Sequence, residues 1–331
     1  MKRFFAVSIL FFTTALYAQP KFSAISSMPG AFSRMGFGAR GMGMGNAMSA
    51  VTEGNLVSYY NPALSAFQQD NSFQTSYSFL SLDRSLNFLS FTRRFDFFSK
   101  DSPSDEPRTS AGLSIGIINS GVSKIDGRDN DGNKTGDLST SENQFFVGLA
   151  NRFSKKFAIG LSVKFYYYRL YDQINTTGVG LDLGALYRIN NIWNVSFMIS
   201  DLNSKYKWDT TPIYQEQGST SIDNFPVLKK VGVSYYNKEY KIIASAEFEN
   251  SNAGTNILRA GVEYNIYDSF FLRGGIDQFN LSNADYSPNP SLGFSYSKKF
   301  GEWNIGVDYA FVVEQNSPQD RHIVGLSVNF K

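Results

Sequence analysis

Between Phe157 and Phe165 every second residue is apolar: Phe157, Ile159, Leu161, Val163 and Phe165. The residues between them are Ala158, Gly160, Ser162 and Lys164. Successive side chains of a strand point to opposite faces, so this run has one greasy face and one small or polar face. A helix would need apolar residues at three-four spacing, which the run lacks. The pattern recurs. Trp303, Ile305, Val307, Tyr309 and Phe311 alternate with Asn304, Gly306, Asp308 and Ala310. Ile242, Ala244, Ala246 and Phe248 alternate with Lys241, Ile243, Ser245 and Glu247. The chain ends with Val324, Leu326, Val328 and Phe330 on one face.

Continued along the chain, the alternation predicts strands near 71–81, 84–95, 108–119, 140–153, 156–168, 177–189, 191–201, 224–236, 239–249, 254–265, 267–277, 290–300, 301–312 and 320–331. That is about fourteen, an even number within the range of single-chain membrane barrels. The stretch 84–95 is the least regular: its alternation breaks at Leu89, where a bulge would switch faces. Connection lengths alternate too. Tight turns fall near Ser154-Lys155, Asn190-Asn191, Asn237-Lys238, Ile266-Tyr267 and Phe300-Gly301, and long loops near 120–139, 202–223 and 278–289. Short turns on the periplasmic side and longer loops outside are the habit of outer-membrane barrels. The first two connections, short at Leu82-Asp83 and long at 96–107, run against it. Aromatics or Ile flank the polar turns in "YRINNIW" and "SKKFGEW", as an aromatic girdle would.

Composition agrees with this class. Phe, Tyr and Trp make up 16% of the chain, with 30, 19 and 3 copies, and there are 28 glycines. A soluble sandwich also alternates, but its outer face carries many solvated charges. Here the non-apolar face is mainly Gly, Ser, Ala and Asn, which suits a narrow or plugged barrel. At the N-terminus Lys2 and Arg3 precede an apolar run from Phe4 to Phe12 and a small residue at Ala18. This is the layout of a secretory signal at 1–18, with Gln19 first after cleavage. The run is shorter than the roughly 20 residues of a membrane-spanning helix. Outer-membrane lipid is therefore the expected surrounding.

Little in the chain points to other chemistry. There is no cysteine, which removes thiol catalysis and thiolate metal sites, and one histidine, His322, which argues against a Ser-His-Asp triad. With 31 basic and 29 acidic residues, net charge is +2, giving no reason to expect nucleic acid. No pair of carboxylates stands out as acid and base, so neither an enzyme nor a cofactor is expected. Gly36-x-Gly38-x-x-Gly41 has the spacing of a dinucleotide fingerprint but lacks the strand, the helix and the distant acid of that motif. Asp129, Asp131 and Asn133 alternate as calcium ligands do, but Gly132 is misplaced for an EF-hand and no Glu closes the loop. A polar turn is the expected role. The charged strand residues Lys164, Asp182, Glu247, Arg259, Glu263, Arg273, Asp277 and Asp308 all fall on the lumen face. They read as an internal network of ion pairs or as a docking surface for a plug. Buried charges need partners in either case.

The stretch before the first strand carries a resemblance. Gly38-Ala39-Arg40, Gly43-Met44-Gly45-Asn46-Ala47 and Tyr60-Asn61-Pro62-Ala63 resemble the N-terminal region of FadL-type outer-membrane proteins, and within them the PorV/PorQ group. The resemblance implies an all-β transmembrane antiparallel barrel of fourteen strands over 71–331, with residues 19–70 forming a hatch or plug. It implies one of two functions. PorV/PorQ proteins serve type IX secretion or cargo attachment, with secretion components or secreted cargo as partners. Classical FadL members pass hydrophobic ligands across the outer membrane. This chain is short, which favours the first. A structural or adhesive surface barrel is a third alternative. A hatch needs tight turns beside other backbone, which glycine permits. Asn61-Pro62 suits a helix start, with Asn as cap and Pro at the first position. Arg34 and Arg40 are expected to pair with lumen carboxylates such as Glu263 or Asp277.

Overall fold

The structure, a computed structural model, describes residues 24–98, 107–315 and 317–331. The expected export signal lies outside the described residues, as do residues 19–23 and most of the 96–107 connection. Fourteen antiparallel strands close into a barrel. They are β1 (Asn71–Phe79), β2 (Arg84–Phe97), β3 (Thr109–Arg128), β4 (Lys134–Arg152), β5 (Phe157–Tyr171), β6 (Ile174–Arg188) and β7 (Trp193–Leu202), then β10 (Leu228–Asn237), β11 (Ile242–Ser251), β12 (Asn256–Tyr267), β13 (Phe270–Asn280), β14 (Asn289–Phe300), β15 (Trp303–Val312) and β16 (Arg321–Phe330). Sequence neighbours pair throughout, and β1 closes the wall against β16 from Asn71↔Phe330 to Phe79↔His322. A short hairpin, β8 (Lys205–Asp209) with β9 (Thr220–Asn224), stands apart from the wall.

The period-two pattern sorts the two faces. Ile159, Leu161 and Val163 are exposed on the outside, while Ala158, Ser162 and Lys164 are buried inside. In a bilayer the outward set meets hydrocarbon, and the closed ladder leaves no strand edge to be desolvated unpaired.

Three sequence expectations change. First, β2 has no bulge at Leu89: its register runs unbroken against both neighbours, with Leu89 opposite Thr75 and Ile117. The pattern looked broken because Leu86 and Phe88 are apolar yet face the lumen, where both are buried. Phe88 packs there on Phe37, with ring centroids 5.0 Å apart. Second, most of 120–139 is strand. β3 and β4 run 20 and 19 residues and stay paired through Ile125↔Leu138. A transmembrane strand needs only about 9–11 residues, so the hairpin continues past the bilayer. Third, 202–223 is not a plain loop. β8 turns inward over the lumen face of β6, where Thr176 Oγ1 donates to the Lys207 carbonyl at 2.8 Å. Tyr206 and Phe225 are buried there against Tyr166, at 6.2 and 4.7 Å between centroids.

Residues 24–70 pack inside the wall. They contain short 3-10 turns at Ala24–Ser27, Ala31–Arg34 and Pro62–Phe67 and one helix, α1 (Gly38–Gly43). The apolar core lies between this inner segment and the lumen face. Phe37, Met42, Met44, Leu56 and Leu64 are buried against Leu86, Phe88, Ile118, Phe146 and Leu186. Phe37 meets Tyr59 at 5.5 Å and Phe146 at 5.9 Å. Each such aromatic pair contributes about 0.5–1.5 kcal/mol beyond its buried area.

Candidate functional site

The inner segment meets the wall along two edges built from different chemistry. On the β4–β7 side the contact is steric and backbone-based. Asn61 is the cap of the Pro62–Phe67 turn: its Oδ1 accepts from the Ala63 N–H at 3.0 Å, and Pro62 takes a position where no N–H is needed. Asn61 Nδ2 donates to the Ser49 and Ala185 carbonyls at 3.1 and 3.2 Å, tying the turn to β6. The wall opposite is glycine. A Cβ on Gly184 would lie 2.0 Å from Asn61 Oδ1. Tyr60 Oη accepts from the Phe37 N–H at 3.0 Å and lies 2.8 Å from Asn46 Oδ1, linking the two motif stretches. Ala39 and Ala63 are buried apolar contacts.

On the β12–β15 side the contact is ionic. Arg40, buried on α1, donates from Nε and Nη2 to the two oxygens of Glu263 at 2.9 and 2.8 Å. Its Nη1 donates to the Glu53 and Asn55 carbonyls at 2.8 and 3.2 Å. Glu263 also accepts from Arg273 Nε at 2.5 Å, and Arg273 reaches Asp308 at 3.2 Å. Arg273 and Asp308 both bond the Ser295 hydroxyl as well. One turn away, Asn46 Nδ2 donates to Asp277 Oδ2 at 2.7 Å, while Arg259 Nε donates to Asp277 Oδ1 at 2.6 Å. Arg259 continues to Glu249 at 3.0 Å and Glu247 at 3.3 Å, both shared with Lys230. The Gly43–Gly45 stretch brings these groups close. Gly45 has φ +58, and a Cβ there would meet the Ile276 backbone at 2.6 Å, so only glycine fits.

A third network lies apart. Lys164 Nζ bridges Asp182 at 2.8 Å and Asp201 at 3.0 Å, and Tyr166 donates to Asp201 at 2.6 Å. All eight charged residues singled out in the sequence thus face inward, each with a partner, and they fall into three networks rather than one track. Arg34 departs from expectation. Its guanidinium bonds the Pro29, Met28 and Ile25 carbonyls at 2.6, 3.3 and 3.4 Å rather than Glu263 or Asp277. It follows the Ala31–Arg34 turn and curls back onto the chain just before it, while Asn46 and Arg259 occupy Asp277.

Sequence reasoning missed Lys230, Glu249 and Asp201. Lys230 and Glu249 share the parity of Gly232 and Glu247, so the alternation carried that signal. Asp201 has the wrong parity. The β6–β7 register shifts between Leu181 and Leu183, and Asp201, at φ +61, turns inward. Beyond the lumen, Asp129 accepts from the Asn133 and Asp131 N–H groups at 2.8 and 3.0 Å. These bonds, led by Asn133, hold its carboxyl below the usual range, as suits a capped polar turn. Among the described residues no three His, Cys, Asp or Glu side chains converge as a metal site. His322 sits on the outer face with Nδ1 2.7 Å from Tyr309 Oη.

Two cavities flank α1, both on the ionic side. One of about 390 Å³ opens toward the long-loop end and is lined by Ile25, Met35, Met42, Ile257 and Val312 together with Arg34, Arg259 and Arg321. The other, of about 140 Å³, lies toward the short-turn end beside Arg40, Glu263, Arg273 and Asp308. Met42 and Asn46 border the first and Arg40 the second, so α1 and the turn after it stand between them.

Solved structures share this architecture. A deltaS2S3 mutant of TodX, a monoaromatic hydrocarbon channel, superposes with a TM-score of 0.61 at 14% identity, over 89% of this chain and 99% of that one. The fold is FadL-like. The Pseudomonas putida toluene transporter TodX gives a TM-score of 0.56 at 13% identity, covering 89% of this chain and 96% of its own. A Pseudomonas aeruginosa FadL homologue gives 0.56 at 12% identity, covering 89% and 98%. No family model matches the chain, and no curated protein sequence is significantly similar to it. The chain therefore has the fold of the FadL-like outer-membrane channels, a closed barrel of fourteen strands.

Proposed function

We propose that this barrel passes small hydrophobic molecules across the outer membrane, with residues 19–70 as its hatch. The observation that carries this reading is the placement of the two cavities on either side of α1, which stands between them. The outer one has the size of a small-molecule site, for which about 300 Å³ or more is usual, and sets the apolar Met35, Met42, Ile257 and Val312 beside charged residues that include Glu249, Arg259, Asp277 and Arg321. Its floor is the hatch. The TodX channels of like fold are named for toluene and monoaromatic hydrocarbons.

The hatch yields at its ionic edge. Hydrogen bonds to charged groups, as here, exchange for hydrogen bonds to water at a net cost of about 1.5–3 kcal/mol each. Asn46 lines the outer cavity and Arg40 the inner one, so both border space that water can enter. At the opposite edge Asn61 and Pro62 are interlocked with strand backbone, and release there requires the wall itself to move. Uptake of a toluene-like probe into vesicles carrying the purified barrel tests the reading. Entry well above protein-free vesicles, reduced when Met42→Trp fills the outer cavity, is expected. Uptake no faster than through bare lipid would refute it.

A second reading is a PorV/PorQ-type role in type IX secretion or cargo attachment. It rests on the Gly38-Ala39-Arg40 and Tyr60-Asn61-Pro62-Ala63 resemblance. Recovery of secreted cargo with the barrel in a mild-detergent pull-down from native membranes, without bound hydrophobic solute, would select it over the channel.

A further inference from the structure

At the short-turn mouth, guanidinium groups from alternate strands converge on one ring. Arg152, at the end of β4, and Arg188, at the end of β6, lie with Cζ 5.6 and 4.6 Å from the centroid of Phe67, the last residue of the hatch turn. Arg94 of β2 stands beyond Arg152 on the same rim. The three cations are unequally satisfied. Arg94 is held by Asp96 at 2.8 Å. Among the described residues the Arg152 guanidinium donates only to Ser110 Oγ, at 2.8 Å. The Arg188 guanidinium makes no hydrogen bond among the described residues. The carboxylate nearest to it is Glu53, 3.9 Å away. Glu53 already accepts from the Thr52 hydroxyl and N–H at 2.8 and 3.2 Å. Arg188 keeps 31% of its side chain exposed.

A guanidinium has five donors in a planar fork suited to a carboxylate. Cation–π attraction to Phe67 draws two of them to one ring. Neither hatch movement nor the outer cavity uses these groups. We propose that Arg152 and Arg188, with Arg94 beside them, form a landing site for an acidic segment of a periplasmic protein. The site faces the lumen axis, so bilayer lipid headgroups do not reach it, and its occupant arrives from water. It is an open crescent spanning β2 to β6, not an enclosed pocket. A single small anion in such a solvated place gains only about 0–1 kcal/mol per contact. An extended chain with several carboxylates meets the arginines together, and linkage multiplies the gain.

Fluorescein-labelled octaglutamate, titrated into the full barrel in non-ionic detergent, tests this. Wild type is expected to bind, more weakly as salt rises. Arg152→Gln/Arg188→Gln is expected to bind about tenfold more weakly or worse. Lys299→Gln, on the β14 side of the same rim, leaves binding unchanged. If the double variant does not fold, Arg188→Gln alone serves, because that guanidinium has no hydrogen bond to lose. Equal binding by wild type and the arginine variants would overturn the proposal. So would an arginine-dependent preference for soluble peptidoglycan fragments over octaglutamate, which would make the cell wall the partner. Solute uptake at the other mouth is a separate readout, so either proposal can fail without the other.

Discussion

The two edges of the inner segment hold the same piece of chain by opposite means. Against β4–β7, Asn61 and Pro62 are seated on glycine backbone, with hydrogen bonds to the Ser49 and Ala185 carbonyls. Against β12–β15, Arg40 and Asn46 are held by charged wall residues beside two cavities. A steric seat tolerates no change of volume, whereas a charged seat tolerates no loss of a partner. In the proposed channel it is the charged seat, beside the two cavities, that exchanges its bonds with water.

The largest effect is expected from breaking the charged edge. Arg40→Ala leaves Glu263 short of two donors and two carbonyls unbonded. Removing one partner of a buried ion pair costs about 3–5 kcal/mol. Urea unfolding in lipid vesicles should show this, and mild proteolysis should show residues near Arg40 opening before the wall. The steric edge comes next. Gly184→Val drives a side chain into Asn61, and overpacking of this kind costs about 1–3 kcal/mol. Its expected mark is displacement of the Pro62–Phe67 turn, read as new accessibility of Phe67, with the Arg40–Glu263 pair retained. A milder probe of the same edge is Asn61→Ala, which removes the cap and two ties to carbonyls. A lost cap costs about 0.5–2 kcal/mol. The smallest effect belongs outside both edges. Arg128→Ala breaks the exposed pair with Asp126 on the β3–β4 hairpin, worth about 0–1 kcal/mol. A shift there as large as that of Asn61→Ala would mean that the extended hairpin braces the hatch.

The same contrast explains what the sequence made legible. Parity alone placed Lys164, Asp182, Glu247, Arg259, Glu263, Arg273, Asp277 and Asp308 in the lumen, because a strand has only two faces. Which of them pair across β12 and β13, Arg259 with Asp277 and Glu263 with Arg273, depends on the register of the two strands. Parity fails where the backbone leaves its period, as at Asp201. It misleads where the lumen is lined by hatch side chains rather than water, as at Leu86 and Phe88. The inward fold of β8 depends on Tyr206 and Phe225 finding Tyr166, a tertiary event without local signature. Arg40 was legible as a partner for Glu263, whereas Arg34 was not, because its acceptors are carbonyls of its own loop.

The most direct test of the yielding edge is a disulfide lock in a chain that has no cysteine of its own. A Cβ on Gly43 would lie 3.6 Å from the Ala310 Cβ, and one on Gly232 3.5 Å from the Ala50 Cβ. Both lie within the usual disulfide span of about 3.5–4.5 Å. Gly43→Cys/Ala310→Cys ties α1 to β15 at the ionic edge, and Gly232→Cys/Ala50→Cys ties the inner segment to β10 away from α1, where the Ser49 and Ser196 hydroxyls must shift to admit the new side chain. Uptake of a toluene-like probe is measured for each, oxidised and reduced. The expected result is that oxidising the first pair stops uptake and reductant restores it, while the second pair transports in both states. Full uptake with the Gly43–Ala310 lock closed would contradict a hatch that opens at its charged edge.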